Sequence, residues 1–478
     1  MNQRMKRLVI VSNRLPIVID REEERWRIVP GSGGLVTALA PIMRRNSGLW
    51  VGWPGCGAEA PLEELFTRFS DAQGYQLAPV PLSEDQVDKY YRGFSNETLW
   101  PLFHDLLGYC RFRTETWQVY QQVNARFAEV LLTHSRPGDV IWVHDYQLLL
   151  VGQALNQLGI RQSLGFFLHI PFPSPDLYRR LPWRREIIHA LLAYDLIGFQ
   201  TLRDRRNFVA CATSLLPDTE VISRHRHFTL LRSGERFVKV GHYPISIDFA
   251  EFHDAARSQE VADAAWYLHE QLEERQLLLG IDRLDYTKGI PDRFLAFERA
   301  LEKYPDLHRR TSLLQVVVPS RTLVADYQDL KEQLDQLAGR INARFSEPGW
   351  TPIYYVFRSL ERVQLLAHYR ASEIALVTPL RDGMNLVAKE YCAASVDGNG
   401  VLILSEFAGA ADELGRGALL VNPYDVEASA DAIHQAFVMP HAERQRRMGL
   451  LQSQVRRHDV HLWLRRFMEH LAGGADFA

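Results

Sequence analysis

Asp382 and Glu390 stand eight positions apart in the stretch Thr378-Pro379-Leu380-Arg381-Asp382-Gly383-Met384-Asn385-Leu386-Val387-Ala388-Lys389-Glu390-Tyr391. The run before it, Ile374-Ala375-Leu376-Val377, reads as a short buried parallel strand. The residues after it favour a helix, with Asn385 at the N-cap position and Gly383 supplying the backbone freedom of a tight strand-to-helix turn. The first helical amides, on Leu386 and Val387, then lack partners inside the helix and point outward with the positive end of its dipole. A phosphate or diphosphate suits that position. Asp382 in the turn and Glu390 about a turn and a half into the helix can reach hydroxyls on opposite sides of such a group, a ribose on one side and a sugar on the other. Alone, a D-x7-E pattern is equally well a strand, a turn and a helix bearing surface carboxylates.

The other reactive side chains fall in one kind of place. Arg14 follows the apolar run Leu8–Val11, Asp145 follows Val140–Val143, and His169 follows Leu164–Leu168. Asp282, Arg283 and Lys288 follow Leu277–Ile281, Ser320 and Arg321 follow Leu313–Val318, and Ser405 and Glu406 follow Val401–Leu404. Each predicted strand thus ends in polar or charged residues, and ligands of open parallel sheets bind outside the carboxyl ends of the strands. Any one of these residues suits a structural salt bridge. Their shared location is harder to obtain from structure alone. Two such sheets facing across a cleft would give it polar walls, with Arg14, Arg283, Lys288 and Arg321 for phosphates and the carboxylates and His169 for sugar hydroxyls.

The elements that must position these residues alternate strand and helix, the signature of parallel α/β sheets. Further strands are expected at Leu196–Phe199 and Ile353–Val356, and Tyr243–Asp248 reads as the exit from a first domain. Gly31-Ser32-Gly33-Gly34-Leu35 opens a helix and can bring amides close to phosphate, although it matches neither the dinucleotide-binding nor the Walker fingerprint. Residues 50–57 read as an aromatic turn, and residues 85–105 combine aromatics with Arg and Asn. Residues 115–133 form an amphipathic helix with Val119, Val123, Phe127 and either Val130 or Leu131 on one side. Residues 257–275 form a charged helix. In the last predicted helix Trp463, Phe467 and Leu471 share a face.

Length and composition set outer bounds. A chain of 478 residues is long for one core, so two domains are expected. The net charge of -3 steers the protein to neither nucleic acid nor an acidic membrane surface. No apolar run approaches the roughly 20 residues of a membrane span, and the basic start lacks a signal-peptide core, so the cytoplasm is the expected compartment. Cys56, Cys110, Cys211 and Cys392 are widely spaced, which suits reduced structural thiols. His225 and His227 alternate without a matching ligand pair, and no metal site is assigned.

Ser12-Asn13-Arg14-Leu15-Pro16, Gly33-Gly34-Leu35, Tyr90-Tyr91 through Asn96 to Trp100-Pro101, His144-Asp145-Tyr146, His169-Ile170-Pro171-Phe172-Pro173, Gly198-Phe199-Gln200-Thr201, Arg283-Leu284-Asp285-Tyr286-Thr287-Lys288-Gly289 and Thr378 to Tyr391 occur in this order. Together they resemble the trehalose-6-phosphate synthase family, from about residue 7 to about residue 470. The resemblance implies an α/β protein of GT-B architecture, with two Rossmann-like doubly wound parallel-sheet domains facing across a cleft. Residues 1–245 would bind the acceptor, residues 246–456 would bind the nucleotide-sugar donor, and a helix in 457–478 would pack back on the first domain.

It implies a retaining glucosyltransferase that moves glucose from UDP-glucose to glucose 6-phosphate, without metal or cofactor, the two domains closing over both substrates. Asp382, Arg283, Lys288, His169 and Asp145 would be the catalytic residues. Arg283 and Lys288 would hold the donor diphosphate with the amides of Leu386 and Val387 and the Gly33-Gly34 loop. Glu390 would bind the ribose, and Asp382 and His169 the donor glucose. Arg14, Tyr91, Trp100 and Arg321 would form the acceptor-phosphate pocket, with Trp53 and Asp145 near the acceptor sugar. The donor base stays open among UDP, GDP and ADP. The alternatives are a glucosylglycerol-phosphate synthase using glycerol 3-phosphate and a non-catalytic sugar-phosphate sensor. A homo-oligomer, dimer or tetramer, is compatible with the sequence, which specifies neither.

Overall fold

The computed structural model describes residues 6–22, 25–31, 34–56, 61–272, 275–321 and 324–472. The chain divides into two units, Met1–Pro244 with His461–Ala478, and Ile245–Val460.

The first unit is built on β1 (Leu8–Arg14), β4 (Leu49–Trp53), β5 (Gln76–Pro79), β6 (Val140–His144), β7 (Ser163–Phe167), β8 (Leu196–Phe199), β9 (Thr219–Arg224), β10 (Phe228–Ser233) and β11 (Arg236–His242), with a separate hairpin of β2 (Ile17–Glu22) and β3 (Arg25–Pro30). The sheet order is β5-β4-β1-β6-β7-β8-β11-β10-β9. Pairing is parallel from β5 to β11, whereas β10 runs antiparallel to both β11 and β9. The parallel strands are the apolar runs seen in the sequence: Leu8 to Val11 and Val140 to Val143 are fully buried. The antiparallel edge was not expected. Its strands alternate buried and exposed residues and leave no continuous apolar run.

Two sequence expectations change here. Trp50 to Trp53 do not form a turn. They are buried in β4 and pair with β1, Ile10 opposite Trp50 and Val11 opposite Val51. Gly52 is there for space: a Cβ would meet the Arg14 carbonyl carbon at 2.8 Å. The aromatic segment 85–105 is mostly one wide helical run, Val87–Leu99, continued by Trp100–Phe103. The Trp100 amide bonds the Ser95 carbonyl, five residues back. The run packs Tyr90 and Phe94 on Tyr120, with ring centroids 5.8 and 4.6 Å away. Tyr120 belongs to the Thr114–His134 helix, which buries Val119, Val123, Phe127 and Leu131.

The second unit carries β12 (Gln276–Arg283), β13 (Thr311–Val318), β14 (Ile353–Phe357), β15 (Ile374–Val377), β16 (Val401–Ser405) and β17 (Leu419–Val421). They form a parallel sheet in the order β14-β13-β12-β15-β16-β17. The charged helix expected at 257–275 is Gln259–Gln271, preceded by Phe249–Ala256.

Both orders contain a reversal. In the second unit the chain builds outward from β12 to β14, then returns to β15 and builds the other way. In the first it builds from β1 to β5, then returns to β6. Right-handed crossovers running in opposite directions place connecting helices on opposite faces and leave a crevice at the reversal, outside the carboxyl ends of the strands. The reversals therefore predict where ligands go: at β12 and β15 in one unit, at β1 and β6 in the other.

The last helix, Val460–Ala472, belongs with the first unit from His461 onward. Phe467 stacks on Trp142 of β6 at 4.3 Å, and Trp463 lies 4.9 Å from the same ring. Gly165 and Gly198 make this possible: a Cβ on Gly165 would come within 2.7 Å of Leu471 and one on Gly198 within 2.8 Å of Phe467. Among the described residues no helix is long and apolar enough to cross a membrane. Cys56, Cys110, Cys211 and Cys392 are free thiols.

Candidate active site

At the β12/β15 reversal, two turns are stitched together. Lys288 closes a short helical turn, Tyr286–Lys288, whose start is capped by Asp285 accepting from the Thr287 amide at 3.0 Å. The Leu380 amide, beyond β15, donates to the Thr287 carbonyl at 2.8 Å. Gly289 has φ +61 and sits so close to β15 that a Cβ would lie 2.6 Å from the Thr378 carbonyl oxygen. This is a position that only glycine fills without strain. The result is that Lys288 Nζ donates to Asp382 Oδ2 at 2.5 Å, with both side chains largely withdrawn from solvent.

Asn385 occupies the expected N-cap position of the Leu386–Ala394 helix without capping it. The backbone there is left-handed, φ 73, and no side-chain cap bond forms. Its Nδ2 instead donates to Asp382 Oδ2 at 3.1 Å, while its Oδ1 is buried without a partner. The backbone freedom assigned to Gly383 thus falls on Asn385, since Gly383 is absent from the positive-φ positions. Asn is one of the few residues that tolerates this conformation. Leu386 and Val387 open the helix half-buried.

Glu390, on the same helix, accepts from the Tyr369 hydroxyl at 2.7 Å. Burial raises its carboxyl above the ordinary glutamate range, with the Tyr369 bond opposing. Arg283 is exposed at the end of β12. Arg321, with φ 51, bonds Tyr327 through Nη1 and lies 3.6 Å from Asp285. Burial pushes the Asp285 carboxyl up, but Arg321, Lys288 and Arg283 outweigh it and hold the group below the usual range. The second unit therefore has three cations, Arg283, Lys288 and Arg321, around one buried carboxylate.

Beneath this site lies a residue that the sequence reading passed over. Arg293 is 2% exposed and binds the Asp282 carboxylate at the end of β12. It also reaches Gln315 on β13 at 2.9 Å, Thr378 after β15 at 3.0 Å and the Lys288 carbonyl at 3.4 Å. One guanidinium thus ties together the strand ends that carry Arg283, Lys288 and Asp382. Asp282 and Ser405, counted with the polar strand ends, turn inward: Asp282 to Arg293, and Ser405 to the Phe407 amide at 3.1 Å.

The β1/β6 reversal of the first unit holds a second group. Arg14 ends β1, its guanidinium 4.5 Å from the Trp53 ring centre. Trp50 Nε1 donates to Ser12 Oγ at 2.7 Å, Ser12 Oγ donates to the Arg14 carbonyl at 2.6 Å, and Tyr90 donates to Asn13 at 2.9 Å. Ser12 and Asn13 therefore position Arg14. Trp53 Nε1 is buried without a partner. Tyr91 is half-buried on the wide helix, and Trp100 is buried with its ring against His104 and Tyr146, 4.2 and 5.5 Å away. Asp145 has φ 76 and accepts from the His169 amide at 3.2 Å. His169 Nε2 and His144 Nδ1 are 3.1 Å apart. Burial drops the His169 pKa to about 3. Burial and then His169 hold His144 well below the ordinary histidine value. Both rings are neutral near pH 7, and one proton bridges them.

Of the sequence-predicted residues, Arg283, Lys288, Asp382, Leu386, Val387, Glu390 and Arg321 lie in the second unit. Arg14, Trp53, Tyr91, Trp100, Asp145 and His169 lie in the first. The residues proposed for the acceptor phosphate are thus divided between the units. Gly34 begins the Gly34–Arg45 helix, and Gly33 lies outside the described residues. Among the described residues no group of His, Cys, Asp or Glu has the arrangement of a metal site.

Two Rossmann-like units, each with cations and carboxylates at the reversal of its sheet, define a GT-B glycosyltransferase. The model of glycosyltransferase family 20 matches residues 6–473, and the chain belongs to that family. It is 43% identical over 469 residues to a trehalose-6-phosphate synthase of Mycolicibacterium vanbaalenii, covering 97% of this chain and 95% of that one. The crystal structure of a UDP-forming α,α-trehalose-phosphate synthase from Burkholderia xenovorans in complex with glucose 6-phosphate aligns with a TM-score of 0.87 at 38% identity, covering 97% of this chain and 100% of that one. An Escherichia coli enzyme bound with UDP-2-fluoroglucose aligns with a TM-score of 0.86 at 38% identity, covering 98% and 99%.

Proposed function

We propose that this chain transfers glucose from UDP-glucose to glucose 6-phosphate with retention, releasing UDP and α,α-trehalose 6-phosphate. The observation that supports this reading is the near end-to-end correspondence with a UDP-forming synthase solved with glucose 6-phosphate and with an Escherichia coli protein solved with UDP-2-fluoroglucose. We assign most donor contacts to the second unit and most acceptor contacts to the first.

The residues have definite work in such a reaction. Arg283, Lys288 and the first amides of the Leu386–Ala394 helix neutralise the diphosphate as the bond to the anomeric carbon breaks. Glu390 accepts from the ribose hydroxyls. Asp382 and neutral His169 bond the hydroxyls of the donor glucose, while Arg14, Tyr91, Trp100 and Arg321 hold the acceptor phosphate and Trp53 and Asp145 its sugar. The acceptor hydroxyl attacks the face that the diphosphate leaves, through an oxocarbenium-like state, and its proton passes to the leaving phosphate oxygen. No carboxylate nucleophile is required, in contrast to retaining glycosidases. What the protein supplies is position and charge. The free thiols fit a reducing cytoplasmic setting.

Product analysis tests this. With UDP-glucose and equal glucose 6-phosphate and glycerol 3-phosphate, NMR of the products is expected to show an α,α-linked disaccharide phosphate. A glucosylglycerol phosphate as the main product would overturn the acceptor assignment, and a β linkage would overturn retention.

A further inference from the structure

Away from Arg14 along the first sheet, the carboxyl ends of β8 and β11 gather cations that pair with no carboxylate among the described residues. Arg205, in the first turn of the Leu202–Leu215 helix, donates from Nη1 to Nδ1 of His242 at 3.3 Å. An arginine bonded to a neutral imidazole is an unusual choice, because its fork matches a carboxylate or a phosphate better. The His242 ring lies 6.4 Å from His227, which lies 6.0 Å from His470 on the C-terminal helix. Arg466 stands one turn before His470 on that helix.

The electrostatics agree with the crowding. Burial and then Arg205, His227, Arg466 and Arg206 bring His242 down to about 4. Burial and then Arg466, Arg226 and Arg205 lower His227, and burial and then Arg206 lower Arg205 itself. None of the leading charges acting on these three groups is a carboxylate. The acidic neighbours are otherwise engaged: Asp204 is buried and accepts from the Phe172 amide at 3.0 Å and the Thr201 hydroxyl at 2.6 Å, and exposed Glu469 acts on His470. Packed like charges repel, and a convergence of guanidinium and imidazole donors is complementary to a multivalent anion.

We propose that Arg205, Arg466, His227 and His242 form a second phosphate site, which takes inorganic phosphate or the phosphate of a small metabolite and ties the C-terminal helix to β11 and the Leu202–Leu215 helix. It is separate from the acceptor pocket. In the sheet order β1-β6-β7-β8-β11, four strand spacings of about 4.8 Å put roughly 19 Å between the ends of β1 and β11, beyond the reach of one sugar phosphate.

Thermal unfolding of the full chain in inorganic phosphate, against chloride at matched ionic strength, tests the site. A saturable rise in Tm of roughly 5 °C is expected in the wild type. It is expected to persist in Arg14→Ala and to vanish in Arg205→Gln/Arg466→Gln. In phosphate-free buffer the double variant is expected to unfold no lower than the wild type, since it has lost repulsion. No response in the wild type, a response abolished by Arg14→Ala, or one that survives the double substitution would each overturn the proposal, as would a double variant of lower Tm without phosphate. Arg206→Gln/Arg226→Gln, both at exposed positions, repeats the test without touching a buried side chain and is expected to weaken the phosphate response. An unchanged response in that variant counts against the site. In the Arg14→Ala background, a tighter response to glucose 6-phosphate than to inorganic phosphate would support the site with a metabolite as occupant, and the reverse order would support it with free phosphate.

Discussion

Lys288 and Asp382 meet at 2.5 Å, a contact that fixes the ammonium which the proposed mechanism sets against a leaving diphosphate. Removing it by Lys288→Ala, or removing its exposed neighbour by Arg283→Ala, is expected to lower kcat by at least about 100-fold, the scale of one preorganised electrostatic contact. Near-normal turnover in either folded variant would contradict the assignment. His169 makes a prediction of opposite character. Its folded pKa of about 3 lies below the ordinary 6.5. Between those values the unfolded chain binds more protons than the folded one, so stability falls as pH drops from about 6.5 toward 3. The loss of Tm between pH 7 and pH 5 is expected to be smaller in His169→Gln than in the wild type, and equal slopes would refute the buried neutral ring. Most of these side chains were legible in the sequence because each follows an apolar run. Arg293 was not read out, yet it left a trace. It sits at a core position of a helix whose Ile290, Phe294, Phe297 and Leu301 are all buried, where a lone arginine needs a buried partner.

At the scale of elements, strand ends are held in register by Arg293. Arg293→Lys keeps the charge and loses the fork, and is expected to lower kcat/KM for the donor by roughly 10- to 100-fold through misplacement of Lys288 and Asp382. Arg444 is the control. It is also buried, at 4% exposure, but it bonds Gln276 at the opposite end of β12, at 2.8 Å. Arg444→Lys is expected to cost stability and leave the donor kcat/KM unchanged. The same kinetic defect in both variants would show that Arg293 acts only on folding. The central parallel strands were readable because burial on both faces demands continuous apolar sequence. β4 was missed because Gly52 and Pro54 mimic a turn, although Gly52 answers to crowding by β1. β9 and β10 were missed because an exposed antiparallel edge alternates too weakly to stand out from loop. The left-handed Asn385 was not legible, because it follows from the contact with Asp382 rather than from local propensity.

At the scale of the molecule, the first unit is completed by the far end of the chain. Phe467, fully buried against Trp142, closes a face of the β6–β8 region that the first 244 residues leave apolar. Phe467→Ala is expected to destabilise the first unit by about 3–5 kcal/mol, read as a lower urea midpoint. An unchanged midpoint would show that the helix is dispensable. If donor and acceptor residues serve one transfer, UDP release from UDP-glucose, measured in EDTA with and without glucose 6-phosphate, responds to the acceptor. Release that depends on glucose 6-phosphate and is indifferent to EDTA is the predicted result. Release that is equal without the acceptor, or none with it, would show that these residues do not serve that transfer.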